Sequence, residues 1–132
     1  MTSGELYGRI PLHYAALRNE AEMVASVLKS GENPNAQDAN GYTPLHFAAE
    51  GTAPEALRLL LKAGADPSIR DKFGNTALGT ATFRSRGNGE LIELLRENGA
   101  DPHSDNNAGR SPVMLARLIA NYDVAQFFSD LP

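Results

Sequence analysis

The chain has 132 residues, 42% hydrophobic and 21% charged, which suits one folded domain. A net charge of −4 argues against a dedicated nucleic-acid binder, which needs clustered Lys and Arg to neutralise phosphates, and is compatible with a basic protein partner. With no cysteine there is neither a disulfide framework nor a thiolate zinc site, which fits a reducing, cytoplasmic setting.

Residues 1–4 read as a short N-terminal segment and 5–132 as a single domain. The segment from Met1 to Leu6 lacks the basic-then-apolar order of a signal peptide, and no apolar stretch nears the ~20 residues that span a bilayer. Leu131-Pro132 falls where a further turn would begin, which suits either an excised segment or a complete small protein, and Met1 directly before the first repeating unit slightly favours the second.

Glycine then recurs at a fixed period. Gly8, Gly41 and Gly74 lie 33 residues apart, and Gly109 follows 35 later. The first unit, about 5–37, runs Gly8-Arg9-Ile10-Pro11-Leu12-His13-Tyr14-Ala15-Ala16, a short helix opened by proline where a missing N–H costs nothing. A second helix follows with Met23, Val24, Val27 and Leu28 as one apolar stripe. Gly31 ends it as a left-handed cap, and Asn33-Pro34 blocks continuation.

The second unit, about 38–70, repeats this with Gly41-Tyr42-Thr43-Pro44-Leu45-His46-Phe47-Ala48-Ala49, a stripe of Ala56, Leu57, Leu60 and Leu61, and a stop at Gly64. Thr43 adds a hydroxyl N-cap. The third, about 71–105, keeps Thr76-Ala77 as the cap, Leu91, Ile92, Leu94 and Leu95 as the stripe, and Gly99 as the stop. The fourth, about 106–132, opens with Ser111-Pro112 and places Val124, Ala125, Phe127 and Phe128 on a second helix. The acids Glu22, Glu55, Glu90 and Asp123 open the second helices, where they favour the positive end of the dipole. No unit of this length buries its stripe alone, so the units must stack into a solenoid.

These residues resemble the ankyrin repeat. The family pattern of Asp, Gly, T-P-L-H-x-A-A, a Glu opening a Leu-rich helix and Gly-Ala-Asp is matched almost fully from Asp38 to Asp71, and the likeness runs from about Glu5 to the end. The resemblance implies an all-α stack of four helix-turn-helix units with β-turn fingers, whose inner helices and finger tips form a concave face that binds proteins. It also implies that His13 and His46 tie neighbouring turns together rather than act in chemistry.

Unit three departs most. Its loop Phe83-Arg84-Ser85-Arg86-Gly87-Asn88-Gly89 is two residues longer, Gly79 replaces the histidine, Thr82 the second alanine, and Arg96 the position of Leu28 and Leu61. A polar outer face is expected of the last unit, which carries Arg117 and Ser129, but not of unit three, so the junction between units three and four is expected to be the weakest.

No nucleophile–base pairing or paired-His motif appears, and no catalytic, cofactor or metal residue is assigned. The segment from Asp101 to Gly109 lacks the central glycine and closing glutamate of a calcium loop. Gly87-Asn88-Gly89 lacks the signature of a phosphate loop. The rival reading, an enzyme, requires Arg84, Arg86 and His103 to converge on a metal or phosphate.

The family resemblance directs attention to positions beside each turn glycine and near the end of each first helix. These are Leu6, Tyr7, Arg9, Leu17 and Arg18 in unit one, Ala39, Asn40, Tyr42 and Glu50 in unit two, Lys72, Phe73, Asn75, Phe83 and Arg84 in unit three, and Asn107, Ala108, Arg110 and Leu118 in unit four, with Arg86 a charged neighbour beside Arg84 and Arg110. Tyr42 and Phe73 are the expected anchors, because aromatic and arginine side chains dominate binding hot spots. The expected function is a monomeric, non-enzymatic module that binds one protein partner and neither nucleic acid nor membrane. The alternative is a bacterial immunity protein that neutralises a cognate toxin, possessing the mild acidity that suits a basic effector.

Overall fold

The computed structural model describes residues 7–132. The N-terminal segment 1–4 and the expected contact Leu6 lie outside them. Seven α-helices lie wholly within the described residues: α1 (Pro11–Leu17), α2 (Ala21–Lys29), α3 (Pro44–Glu50), α4 (Pro54–Lys62), α5 (Ala77–Arg84), α6 (Glu90–Glu97) and α7 (Pro112–Leu118). A 3₁₀ turn over Ala125–Phe128 closes the chain, and no strand occurs among the described residues.

The local chemistry read from the sequence sets the helix ends. Thr43, Thr76 and Ser111 each accept the N–H of the third helical residue, from His46, Gly79 and Met114. Gly31, Gly64 and Gly99 take φ of +97°, +92° and +91° just past the second helices. Each donates its N–H to the carbonyl three residues back, and the residue after it donates to the carbonyl five back, closing a Schellman cap.

The short helices α1, α3, α5 and α7 pack successively as an inner layer, and α2, α4 and α6 form an outer one. Leu12, Leu45, Leu78 and Val113 occupy matched inner positions and are buried, as are Ala15, Ala48, Ala81 and Ala116. Burying each such leucine contributes roughly 2–3 kcal/mol, while the alanines let the inner helices approach closely. In the outer layer Leu57 and Ile92, then Leu60, Leu95 and Phe128, continue the core along the stack. Thr82 stands where an alanine was expected; its hydroxyl donates to the Leu78 carbonyl at 2.7 Å and so costs the core no unpaired group.

Two expectations are corrected. Met23 is expected on the apolar stripe of unit one, but it is half exposed, while Val24 beside it is fully buried. The second helix of unit four is only the 3₁₀ turn. After α7 the chain turns extended at Ile119, which breaks the helix–loop–helix pattern of the earlier units.

Candidate functional site

Between the units the chain forms fingers, and one side chain closes each of fingers two, three and four. Asp38 Oδ1 accepts the N–H groups of Asn40 and Tyr42, both at 2.9 Å. Asp71 does so for Phe73 and Asn75 at 2.9 and 3.0 Å, and Asn106 for Ala108 and Arg110 at 2.9 and 3.0 Å. Short carboxylate and amide side chains suit this role because they satisfy the turn's own backbone. The fingers are also bonded to each other. The N–H groups of Ala39, Lys72 and Asn107 donate to the carbonyls of Tyr7, Asn40 and Phe73, so the row of fingers is one continuous edge.

The two helical histidines brace this edge. His13 Nδ1 accepts the Ile10 N–H at 3.0 Å, so the proton sits on Nε2, which donates to the Ala36 and Tyr42 carbonyls at 2.9 and 3.0 Å. His46 Nδ1 faces the Thr43 N–H and hydroxyl, and its Nε2 donates to the Asn75 carbonyl at 2.8 Å. Burial holds both imidazoles below the usual histidine range, against the opposing pull of these carbonyls. Both rings are therefore structural ties.

Unit three has no such ring. A Cβ at Gly79 would meet only Asn75, at 3.6 and 3.9 Å, so the space that histidine fills in units one and two stays open. A groove of about 500 Å³ occupies this part of the concave face. Its lining comes from fingers two to four (Tyr42, Asp71, Asn75, Asn106, Ala108, Arg110) and from α3, α5 and α7 (His46, Phe47, Glu50, Gly79, Thr80, Phe83, Arg84, Leu115).

Seven of the expected contact residues meet there: Tyr42, Glu50, Asn75, Phe83, Arg84, Ala108 and Arg110. Phe83 is 61% exposed, with the Arg84 guanidinium 5.2 Å from its ring. Arg84 also pairs with Glu50 at 2.7 Å, which brings a charged couple from two units to the rim. Tyr42 is half-buried against Phe47 and His46, with ring centroids 5.8 and 5.9 Å apart. Burial, followed by the nearby Asp71 carboxylate, pushes its phenol above the usual range.

The other expected residues lie elsewhere. Tyr7 and Arg9 sit on the first finger, where the Arg9 guanidinium lies 4.8 Å from the Tyr7 ring and 5.1 Å from Phe47. Asn40 spends its carbonyl on the next finger. Lys72 and Phe73 are exposed on finger three and are not groove lining, with the Lys72 ammonium 5.1 Å from the Phe73 ring. Arg86 is exposed in the inter-helix loop at φ +51°. Among the described residues no hydrogen bond or ion pair joins His103 to Arg84 or Arg86, and no group of three or more acids and histidines is arranged to hold a metal.

Sequence reasoning passed over Asp71, Phe47 and Thr80 as groove residues. A signal for Asp71 was present: it stands three residues before its turn glycine, as Asp38 and Asn106 do.

The molecule is thus a helical-repeat solenoid that presents a grooved, finger-edged surface. A family model described as ankyrin repeats (3 copies) matches residues 2–71 and 54–130, and the chain belongs to the ankyrin-repeat family. The comparison with curated proteins finds no match. Ankyrin repeats are generally protein–protein interaction modules. No helix among the described residues is long and apolar enough to cross a membrane.

Proposed function

We propose that this protein is a non-enzymatic, monomeric cytoplasmic module that grips one specific protein partner in the groove between α3 and α5 and fingers two to four. The observation that carries the reading is the meeting of exposed Phe83, half-buried Tyr42 and the charged groups Glu50, Arg84 and Arg110 around one concavity of about 500 Å³. A recessed aromatic ringed by charge is the composition from which hot spots are built. Phe73, outside the groove, serves as a peripheral contact.

The test is capture of partners from the native host with mass spectrometry, repeated with Tyr42→Phe, Phe83→Ala and Phe73→Ala. Phe83→Ala should cost ~2 kcal/mol or more of binding with little loss of stability. Undiminished capture by Phe83→Ala would defeat the assignment of the groove.

The narrower reading is an inhibitor that neutralises a basic effector, as an immunity protein does. The net charge of −4 favours it. Loss of the captured effector's activity on stoichiometric addition of the module supports it; binding without inhibition leaves the adaptor role.

A further inference from the structure

The stack makes one polar contact at two of its three junctions, with two different residue pairs, and lacks it at the other. In this contact the residue after the turn glycine reaches the Asx side chain of the next finger. Between units one and two, Arg9 Nε donates to Asp38 Oδ2 at 3.2 Å, and the Asp38 side chain is fully buried. Between units three and four both partners are neutral: Asn106 Nδ2 donates to Asn75 Oδ1 at 2.9 Å. Between units two and three the pair is Tyr42 and Asp71, and position 42 supplies no cation.

Asp71 is only 7% exposed. Its Oδ1 is spent on finger three, while its Oδ2 has no hydrogen-bond or ion-pair partner among the described residues. No fully buried side-chain polar atom among those residues lacks a partner, so Oδ2 opens onto the groove that Asp71 lines. A recessed carboxylate with one unmatched oxygen is the costly half of an ion pair.

We propose that this oxygen receives an arginine side chain from the protein partner. The inference rests on the reading of the groove as a protein-binding site. The chain itself supplies the template, since the Arg9 guanidinium meets Asp38 while lying against the rings of Tyr7 and Phe47. The groove offers the same kinds of group from other register positions, with the Asp71 carboxylate and the Tyr42 and Phe47 rings all among its lining. A planar guanidinium both forks onto a carboxylate and stacks on an aromatic face, which an ammonium does less well. The two cations of the groove do not fill the role. Arg84 is paired with Glu50, and Arg110 is exposed on finger four. A partner acid meeting Arg110 would make a solvent-exposed pair of small value, whereas a cation meeting Asp71 is desolvated and decides affinity.

The experiment uses the whole chain, isotopically labelled for NMR, titrated with N-acetyl-arginine amide and with its uncharged citrulline counterpart. Arginine should move the Tyr42, Asp71 and Asn75 amides saturably, and citrulline should not. Asp71→Asn should weaken the response at least about tenfold. That variant keeps the finger, because Asn106 closes finger four with the same two bonds; unchanged amide-exchange protection at Phe73 and Asn75 checks this. Tyr42→Arg, which restores the arrangement of units one and two, should occlude the site. Equal responses to arginine and citrulline, or an arginine response that survives Asp71→Asn, would overturn the proposal. If the probe fails while partner capture still depends on Phe83, the binding-module reading stands and this inference alone falls.

Discussion

His46 donates Nε2–H to the carbonyl of Asn75, 29 residues away, at 2.8 Å, while its Nδ1 accepts from Thr43. One neutral imidazole thereby caps α3 and fastens finger three. His13 repeats the arrangement one unit earlier. Burial lowers the pKa of both in the fold, so the unfolded chain takes up protons first as pH falls. Stability should therefore be complete above about pH 6.5, the ordinary histidine value, and decline below it by up to about 1.4 kcal/mol per pH unit for each histidine. Urea unfolding between pH 7.5 and 5 measures the slope. His46→Gln keeps an acceptor for the Thr43 N–H, as in a capping box, and should roughly halve that slope. A flat profile would refute the assignment.

Gly51 ends α3 against the end of α1. A Cβ there would overlap the carbonyl oxygen of Leu17, backbone that cannot swing aside. Gly51→Ala should cost about 3 kcal/mol, as overpacking does when no side chain can yield. Gly64 makes the contrast: its surroundings are open, and only its φ of +92° opposes a side chain. Gly64→Ala should cost about 1 kcal/mol. Equal losses on denaturant unfolding would show that conformation, not close approach, governs both.

Thr52 sits in the loop between α3 and α4 with φ +48°, a left-handed conformation that a β-branched residue adopts at a cost. Asn19 occupies the matched place in unit one at φ +55°, and asparagine tolerates it. Thr52 is exposed, and its one side-chain bond goes to the neighbouring Gly51 carbonyl. Thr52→Asn should raise stability by about 0.5–1 kcal/mol with no change in binding. A lower unfolding midpoint would contradict this.

The regular parts of the stack were legible because their causes are local. Thr43-Pro44 caps a helix and Gly64 ends one whatever lies around them, and the 33-residue recurrence converts those local signals into a solenoid. The failures have tertiary causes. The stripe of Val124, Ala125, Phe127 and Phe128 is helical in pattern, yet a short helix depends on tertiary packing, and of these four only Val124 and Phe128 are buried. Met23 fits the stripe by spacing alone, and spacing does not show that its side chain is half exposed. The groove was half legible: the residues beside the glycines were marked, but the opening comes from a missing histidine at Gly79. The unmatched Asp71 was harder still, since it is defined by a cation absent from position 42, 29 residues earlier.

Arg96 was expected to weaken the junction of units three and four, because it replaces the leucine of units one and two. In the fold it works as a clamp. Its Nη1 donates to the Phe127 carbonyl at 2.8 Å, and Nη1 and Nη2 grip both oxygens of Asp130 at 2.8 and 2.7 Å, with the guanidinium 5.3 Å from the Phe128 ring. Asp130 is largely exposed, so solvent screens the pair and it adds little despite its two-pronged geometry. Unit four offers a 3₁₀ turn where α6 would otherwise meet a helix, and a clamp of that size does not replace a buried helical stripe. Amide-exchange protection should therefore be lost first in unit four. Arg96→Ala should lower it further at Ser129 and Leu131, whose N–H groups bond within the final turn, and leave α1 to α4 unchanged. Uniform protection across the four units, or equal loss in α1 and the final turn on Arg96→Ala, would show instead that the stack opens as one cooperative body.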